Sequence, residues 1–367
     1  MSVAPANLPT RSAARSSAER ALFITRKWGP AVGGMETYSE RLSEELAKLQ
    51  AIDVVALKGR ANGQPPGALA LLTFPFTVLR RLIAQREKPA IIHVGDMAIW
   101  PLAVLAGLFF PAAKLVLSAH GTDVSYGARG GVRGSLYSAY LAAGARLLSK
   151  ARLIANSRAT RDRLVQIGWP DASIVALATD LRVDAPSSYD TTQILFAGRL
   201  ITQKGCRWFV ENVLPLLPDE ITLNVIGTVW DKDEEAALDH PQVRFEGALP
   251  QSQLAHRFAK AGCVIIPNIE RANGDFEGFG LVAPEASSAG GIVLASDTGG
   301  LKDAVIEGET GFLIAPGDAQ AWADKIVQVI GWDDDQRQAF ITRSKAKARE
   351  YFSWSRVAAE TAKIYSD

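Results

Sequence analysis

Cysteine is scarce in this chain: Cys206 and Cys263 are the only two among 367 residues. They match no metal-ligand spacing and no disulfide framework, so a reducing compartment is the natural setting. Net charge is also small, +1 from 40 basic and 39 acidic residues, so no global field recruits nucleic acid. Long apolar runs are missing as well. The longest, Ala98 to Phe110, is closed by Pro111 and falls short of the roughly 20 residues a membrane span needs. A buried core helix is expected there. The first twenty residues are rich in Ala, Ser and Arg but have no apolar centre, unlike a secretory signal. Their composition is loosely that of a transit peptide, but a disordered arm is the expectation, in a protein made and kept in the cytoplasm. There is no GxGxxG fingerprint either, which disfavours a nicotinamide cofactor.

What the sequence does have is rhythm. Short, nearly continuous apolar runs alternate with helical patterns, the signature of parallel strands buried on both faces. In the first half the expected strands are Ala21–Thr25, Asp53–Leu57, Ala90–Val94, Lys114–Ser118, Arg152–Ala155 and Ile174–Ala178. Helices such as Glu36–Leu49 and Ser157–Ile167 lie between them. The polar stretch Asp184–Thr192 breaks the rhythm and is expected to be a linker. A second series follows: Gln193–Ala197, Thr222–Ile226, Val243–Glu246, Cys263–Pro267, Ile292–Ala295 and Phe312–Ile314. The fold class is therefore α/β, two doubly wound Rossmann-like domains over residues 21–183 and 193–350 facing across a cleft. The last helix, within 351–367, is expected to cross back onto the first domain.

The segment Gly274–Ala286, GDFEGFGLVAPEA, follows a buried strand and leads into a helix at about Leu281. Gly278 and Gly280 let the backbone approach a ligand, and the helix start offers N–H groups to an anion. Glu277 stands just before that helix and Glu285 on its first turns; the plain alternative is a glycine-rich turn with two solvated acids. Arg199 ends a strand and Lys204 precedes a helix, so both project from the ligand-binding edge, either as a diphosphate clamp or as a solvated basic loop. Gly33 and Gly34 precede a helix opening with Glu36, another anion-site geometry. His120, followed by Gly121, Thr122 and Asp123, ends a strand and is expected to face the cleft unless it is a hydrogen-bonded structural residue. His93 lies inside a strand and reads as core. Asn156 and Ser157 read as a helix cap, with ligand contact secondary. Asp231-Lys232-Asp233 fits a loose metal-binding DxD, but opens an acidic helix start and reads as a dipole partner instead. No metal is expected.

In this order, GGMET, HGTD, NS, GRLITQKG, EGFGLVAPEA, GGLKDAV and TGFLI resemble the retaining GT-B glycosyltransferases of family 4, the group 1 type, over roughly residues 21 to 365. The resemblance implies a donor sugar nucleotide on the second domain and an acceptor on the first. Arg199 and Lys204 would bind the diphosphate. Glu277 would touch the sugar hydroxyls, with backbone amides of Gly278, Phe279, Gly280 and Leu281 nearby, and Glu285 would hold the ribose. Gly33 and Gly34 would line the phosphate and acceptor side, and His120 would sit beside the transferred sugar; Asp123, Asn156 and Ser157 are further acceptor-side candidates. It further implies catalysis by His120, Glu277, Arg199 and Lys204 with no cofactor, no metal and no enzyme nucleophile. Two features depart from the pattern. Asp303 stands where the family often has Glu, and PNIERANGDFEGFG is longer and more polar than usual, similar to a subgroup of bacterial polysaccharide and lipopolysaccharide enzymes.

The expected partners are GDP-mannose or a UDP-sugar and a glycan or lipid-linked acceptor, with no nucleic acid. Two basic, amphipathic stretches, Pro75–Lys88 and SLYSAYLAAGARLL with its flanking Arg129, Arg133, Arg146, Lys150 and Arg152, suggest peripheral contact with an anionic membrane, or else core helices with solvated basic ends. A sugar-nucleotide 2-epimerase and a catalytically silent sugar-binding protein share the architecture and stand as alternatives.

Overall fold

The computed structural model describes residues 20–183, 189–271 and 274–367. The expected N-terminal arm lies outside them except for Arg20, as do residues 184–188 of the expected linker.

The first sheet is built from β1 (Ala21–Trp28), β2 (Ile52–Lys58), β3 (Ile91–Val94), β4 (Lys114–Ala119), β5 (Arg152–Ala155) and β6 (Ala172–Ile174). Its strands are parallel, in the order β2-β1-β3-β4-β5-β6. The connecting helices include α1 (Gly34–Leu49), α2 (Ala68–Ala84), α3 (Trp100–Phe109), α4 (Gly131–Leu147) and α5 (Arg158–Ile167). The second sheet holds β7 (Asp190–Ala197), β8 (Thr222–Ile226), β9 (Val243–Gly247), β10 (Ala261–Ile266), β11 (Val293–Ser296) and β12 (Gly311–Ile314). It is also parallel, ordered β12-β11-β10-β7-β8-β9. Around it lie α6 (Cys206–Asn212), α7 (Gln251–Lys260), α8 (Val282–Ala289), α9 (Ala319–Ile330) and α10 (Asp334–Tyr351), and α11 (Trp354–Ser366) follows. In such sheets ligands bind where neighbouring strands send their connections to opposite sides. That point falls between β1 and β3 in the first sheet and between β7 and β10 in the second.

Local chemistry explains the element ends. Ser157 Oγ accepts from Thr160 N at 3.1 Å and caps α5, which stops at left-handed Gly168 (φ 102°). Asp333 caps α10 through Gln336 N at 2.7 Å. The apolar run from Ala98 becomes a short 3-10 turn and α3, with Trp100, Leu102, Ala103 and Ala106 buried. Among the described residues, no helix is long and apolar enough to cross a membrane.

Two boundaries differ from the sequence reading. The polar residues Asp190, Thr191 and Thr192, expected in the linker, open β7, and Asp190 pairs with Ala261. This end of the strand is largely solvated, so polarity there does not oppose pairing. Ile174–Ala178 is not a strand: β6 ends at Ile174, and Val175 to Ala178 run on as buried irregular chain. Their apolarity serves a core that spans both domains, where they pack with residues such as Phe279, Phe352 and Trp354.

α11 packs against α1 of the first domain. Its Tyr365 and Trp354 are buried in the shared core, and Lys114 on β4 donates to Tyr365 O at 2.9 Å.

Candidate functional site

The connection after β7 carries Arg199 and Lys204, and the one after β10 carries Asn268 and Glu277. Both therefore leave the second sheet at the point where its strand order reverses. There Lys204 Nζ and Asn268 Nδ2 both donate to Glu277 Oε2, the latter at 3.1 Å. Burial would raise the Glu277 carboxyl, but Lys204, the hydrogen bond from Asn268 and nearby Arg199 outweigh it and hold the group below its ordinary value. Glu277 is thus a fixed anion in a cationic frame. The Arg199 guanidinium lies over the Trp230 ring, 4.9 Å from its centroid. A cavity of about 340 Å³ opens here, lined by Arg199, Lys204, Trp230 and Glu277 from the second domain and Thr122 and Arg129 from the first. Small-molecule sites begin at about that size.

The turn Glu277–Leu281 brings the two domains together. A Cβ on Gly278 would collide with the His120 carbonyl, and one on Gly121 (φ 93°) would collide with Gly278. Only glycine permits this approach of two backbones. Gly280 (φ 88°) completes the turn, and Gly300 N donates to Glu277 O at 2.7 Å. Phe279 points away from the cleft into the shared core, 6.2 Å from the Phe352 ring. Burying such a ring is worth about 1.5–3 kcal/mol. It anchors the turn, so the cleft meets only the Phe279 backbone. Leu281 precedes α8 and lies against Gly34, where a Cβ would come 2.9 Å from Leu281 Cδ1. The start of α1 therefore abuts the start of α8. Glu36 folds back beside Gly33 and pairs with Lys27 at 3.2 Å, placing a carboxylate at the α1 start.

On the first domain, His120 Nε2 donates to Gly95 O at 3.0 Å, which fixes the proton on that nitrogen when the ring is neutral. Its Nδ1 is buried without a partner, and its ring meets Tyr38 edge-on at 4.4 Å. Asp123 holds this corner: its oxygens accept from His120 N at 2.8 Å and Met97 N at 3.1 Å. Burial raises the Asp123 carboxyl. Asn156 and Ser157 are buried, with Asn156 Oδ1 accepting from Thr160 Oγ1 at 2.8 Å. Thr160 Oγ1 also lies 3.5 Å from Gly278 O, so this cap backs the interdomain turn, while Asp123, Asn156 and Ser157 stand outside the lining of the 340 Å³ cavity.

Glu285 is half-buried on α8, and burial pushes it up to about 7 despite a 3.4 Å contact from Gln251. It stands outside the lining of the 340 Å³ cavity. Asp303, the shorter acid, accepts from Arg158 N and Arg158 Nε, both at 2.8 Å, and so bridges the domains. Asp231 accepts from Thr202 N at 2.9 Å, closing a loop. Among the described residues, no group of three or more His, Cys, Asp or Glu is arranged to hold a metal ion. Sequence reasoning missed Asn268, Trp230 and the bridge formed by Asp275, which accepts from Ser125 Oγ at 3.1 Å and pairs with Arg129 at 3.2 Å. A polar residue directly after a buried strand was the available signal for Asn268.

Comparison with known proteins agrees with this layout. Residues 32–179 match the model "Glycosyltransferase Family 4" and residues 191–331 match "Glycosyl transferases group 1". A D-inositol 3-phosphate glycosyltransferase of Paenarthrobacter aurescens is 32% identical over 243 residues, 59% of this chain and 57% of the relative. A glycogen synthase of Mycobacterium tuberculosis is 27% identical over 311 residues, 78% of this chain and 71% of the relative. The chain spans about half the length of several curated relatives it matches. Among solved structures, Anabaena HepE in complex with UDP and glucose superposes with a TM-score of 0.68 at 20% identity, covering 95% of this chain and 99% of that one. Sucrose-phosphate synthase from Thermosynechococcus elongatus gives 0.70 at 20% identity, covering 95% and 98%. With two matched halves in sequence and the same two-sheet architecture in space, the chain belongs to glycosyltransferase family 4 and has the GT-B fold.

Proposed function

We propose that this chain transfers a hexose from a sugar nucleotide to a glycan or lipid-linked acceptor, with retained anomeric configuration and no metal. The observation that carries the reading is the Lys204–Glu277 pair beside Arg199, set at the strand-order reversal and roofed by the first domain. Lys204 and Arg199 supply two cations for a diphosphate. Glu277 is kept ionised to accept sugar hydroxyls, and Glu285 accepts ribose hydroxyls. The bond from the anomeric carbon to phosphate breaks while the acceptor oxygen attacks the same face. The acceptor proton passes to the departing phosphate oxygen, and the cations stabilise its growing charge. His120 borders the transferred sugar.

The donor is a UDP-sugar or GDP-mannose; the UDP and glucose held by HepE support the first choice. The acceptor belongs to a bacterial surface polysaccharide or glycolipid, and the enzyme works in the cytoplasm, peripherally on the inner face of the membrane.

A panel of sugar nucleotides tests the donor by its effect on melting temperature. One nucleotide should raise it and should be slowly hydrolysed without acceptor. No shift from any member would end the reading, and isomerisation of the donor alone would favour the epimerase. Nuclear magnetic resonance of the product reports the anomeric configuration; inversion would refute the same-face mechanism.

A further inference from the structure

The two basic, amphipathic stretches both bury one apolar face and leave other apolar residues exposed, and the exposed row is longer on α2. In α4, Tyr137, Tyr140 and Leu141 turn inward against the first-domain core. Val132, Leu136 and Leu147 on the same helix stay exposed. In α2, Phe74, Val78 and Leu82 form the inward seam, spaced four apart. A second apolar stripe faces outward: Leu69, Leu72, Phe76 and Ile83 are 75%, 73%, 66% and 67% exposed. The spacing of these positions keeps them on one face of a helix. Leucine and phenylalanine exposed in a row on a helix exceed what a solvated surface needs.

Charge says what covers the stripe. Arg80 lies on this face between Phe76 and Ile83, Arg81 lies on its flank toward β2, and α2 contains no acidic residue. Both arginines also border an open groove of about 690 Å³ between α2 and the edge strand β2, floored by Val54, Val55 and Ala56. An apolar face with one arginine on it, a second on its flank and no acid suits an anionic phospholipid surface, where side chains enter the acyl boundary and guanidiniums meet phosphate.

Position ties this face to the cleft. α2 follows the loop that leaves the site-side end of β2. In that loop Gly63 O accepts from Val32 N at 3.3 Å, next to Gly33. The loop before α2 therefore touches the start of α1, which abuts the interdomain turn at Leu281.

We propose that the outward face of α2 docks this protein on anionic membrane, with the cleft mouth at the lipid surface. The inference deepens the reading of a lipid-linked acceptor and rests on it for its purpose, but not for its test. Full-length protein is sedimented with vesicles of phosphatidylglycerol and phosphatidylcholine, and with phosphatidylcholine alone. Binding should appear only on the anionic vesicles and weaken with added salt. Leu72→Ser with Phe76→Ser, and separately Arg80→Ser with Arg81→Ser, should each reduce binding about tenfold or more. Circular dichroism and slow donor hydrolysis should stay as in the parent, because these side chains are solvent-facing and outside the site. Binding that is absent, or equal in parent and variants, overturns the proposal. So does a parent dimer that the Leu72→Ser, Phe76→Ser pair dissociates, because a second copy would then cover the stripe. Loss of donor hydrolysis in the parent would instead count against the transferase reading.

Discussion

The hydroxyl of Tyr365 on α11 lies 2.7 Å from His93 Nδ1 on β3, and the other ring nitrogen lies 2.7 Å from Ser118 Oγ. Tyr38 continues the chain, its hydroxyl 2.8 Å from the same Ser118 Oγ, and its ring rests against His120. Burial, with His120 nearby, pushes His93 down to about 3. The folded protein therefore keeps this ring neutral, while an unfolded chain protonates it below about 6.5. Stability is full above that pH and is lost as pH falls from about 6.5 toward 3, by about 2 kcal/mol at pH 5. His93→Gln removes the titrating group, so its melting temperature should vary less between pH 7 and 5 than that of the parent. Equal slopes would refute the assignment.

Gly278→Ala should separate binding from turnover. Its new methyl meets the His120 backbone across the cleft, so the domains must part slightly. On the proposed reading, in which the donor rests mainly on the second domain, donor affinity should change less than about threefold, whereas turnover should fall about 10²-fold through misplacement of the reacting groups. Isothermal titration with donor and a nucleotide-release assay measure the two. Unchanged turnover would show that this approach is not needed for chemistry.

Lys204→Met removes the cation that offsets the burial of Glu277. Donor binding should weaken by about 1.5–3 kcal/mol, as for a lost charge-assisted hydrogen bond. The Glu277 carboxyl should rise at the same time, so the remaining affinity should increase with pH in the acid range. Calorimetric affinities at two pH values check both statements.

Glu285→Gln should move stability and binding in opposite directions. The parent carboxyl, raised to about 7 by burial, favours the protonated folded state, so its unfavourable contribution appears as pH rises through 4.5 toward 7. At pH 8 the amide should stabilise the unliganded protein by up to about 3 kcal/mol, or roughly 4 °C. Donor affinity should fall if the carboxylate holds ribose. A variant that melts lower at pH 8 would contradict the burial argument.

Periodicity was enough to locate the strands, because strands buried on both faces are apolar along their length. It erred at Ile174–Ala178, where apolar residues serve a core rather than a ladder, and at Asp190–Thr192, where a strand continues with polar residues. The clustering of Arg199, Lys204 and Glu277 was readable because position after a strand implies position at the C-terminal edge of the sheet. Asn268 and Trp230 were not, because their importance lies in which side chain they meet. The contact between Gly121 and Gly278 depends on how two domains dock, which no local pattern encodes. The same limit made α2 and α4 indistinguishable in sequence: both are amphipathic, and only packing shows which apolar residues each buries and which it leaves exposed.

The placement of α11 has a consequence for biosynthesis. Until residue 365 has left the ribosome, His93 lacks the Tyr365 hydroxyl, Lys114 lacks the Tyr365 carbonyl, and the face of α1 that receives Trp354 stays uncovered. The first domain is translated first but finished after the second. Throughout that interval it presents an unsealed apolar surface, the condition in which nascent chains most need chaperones.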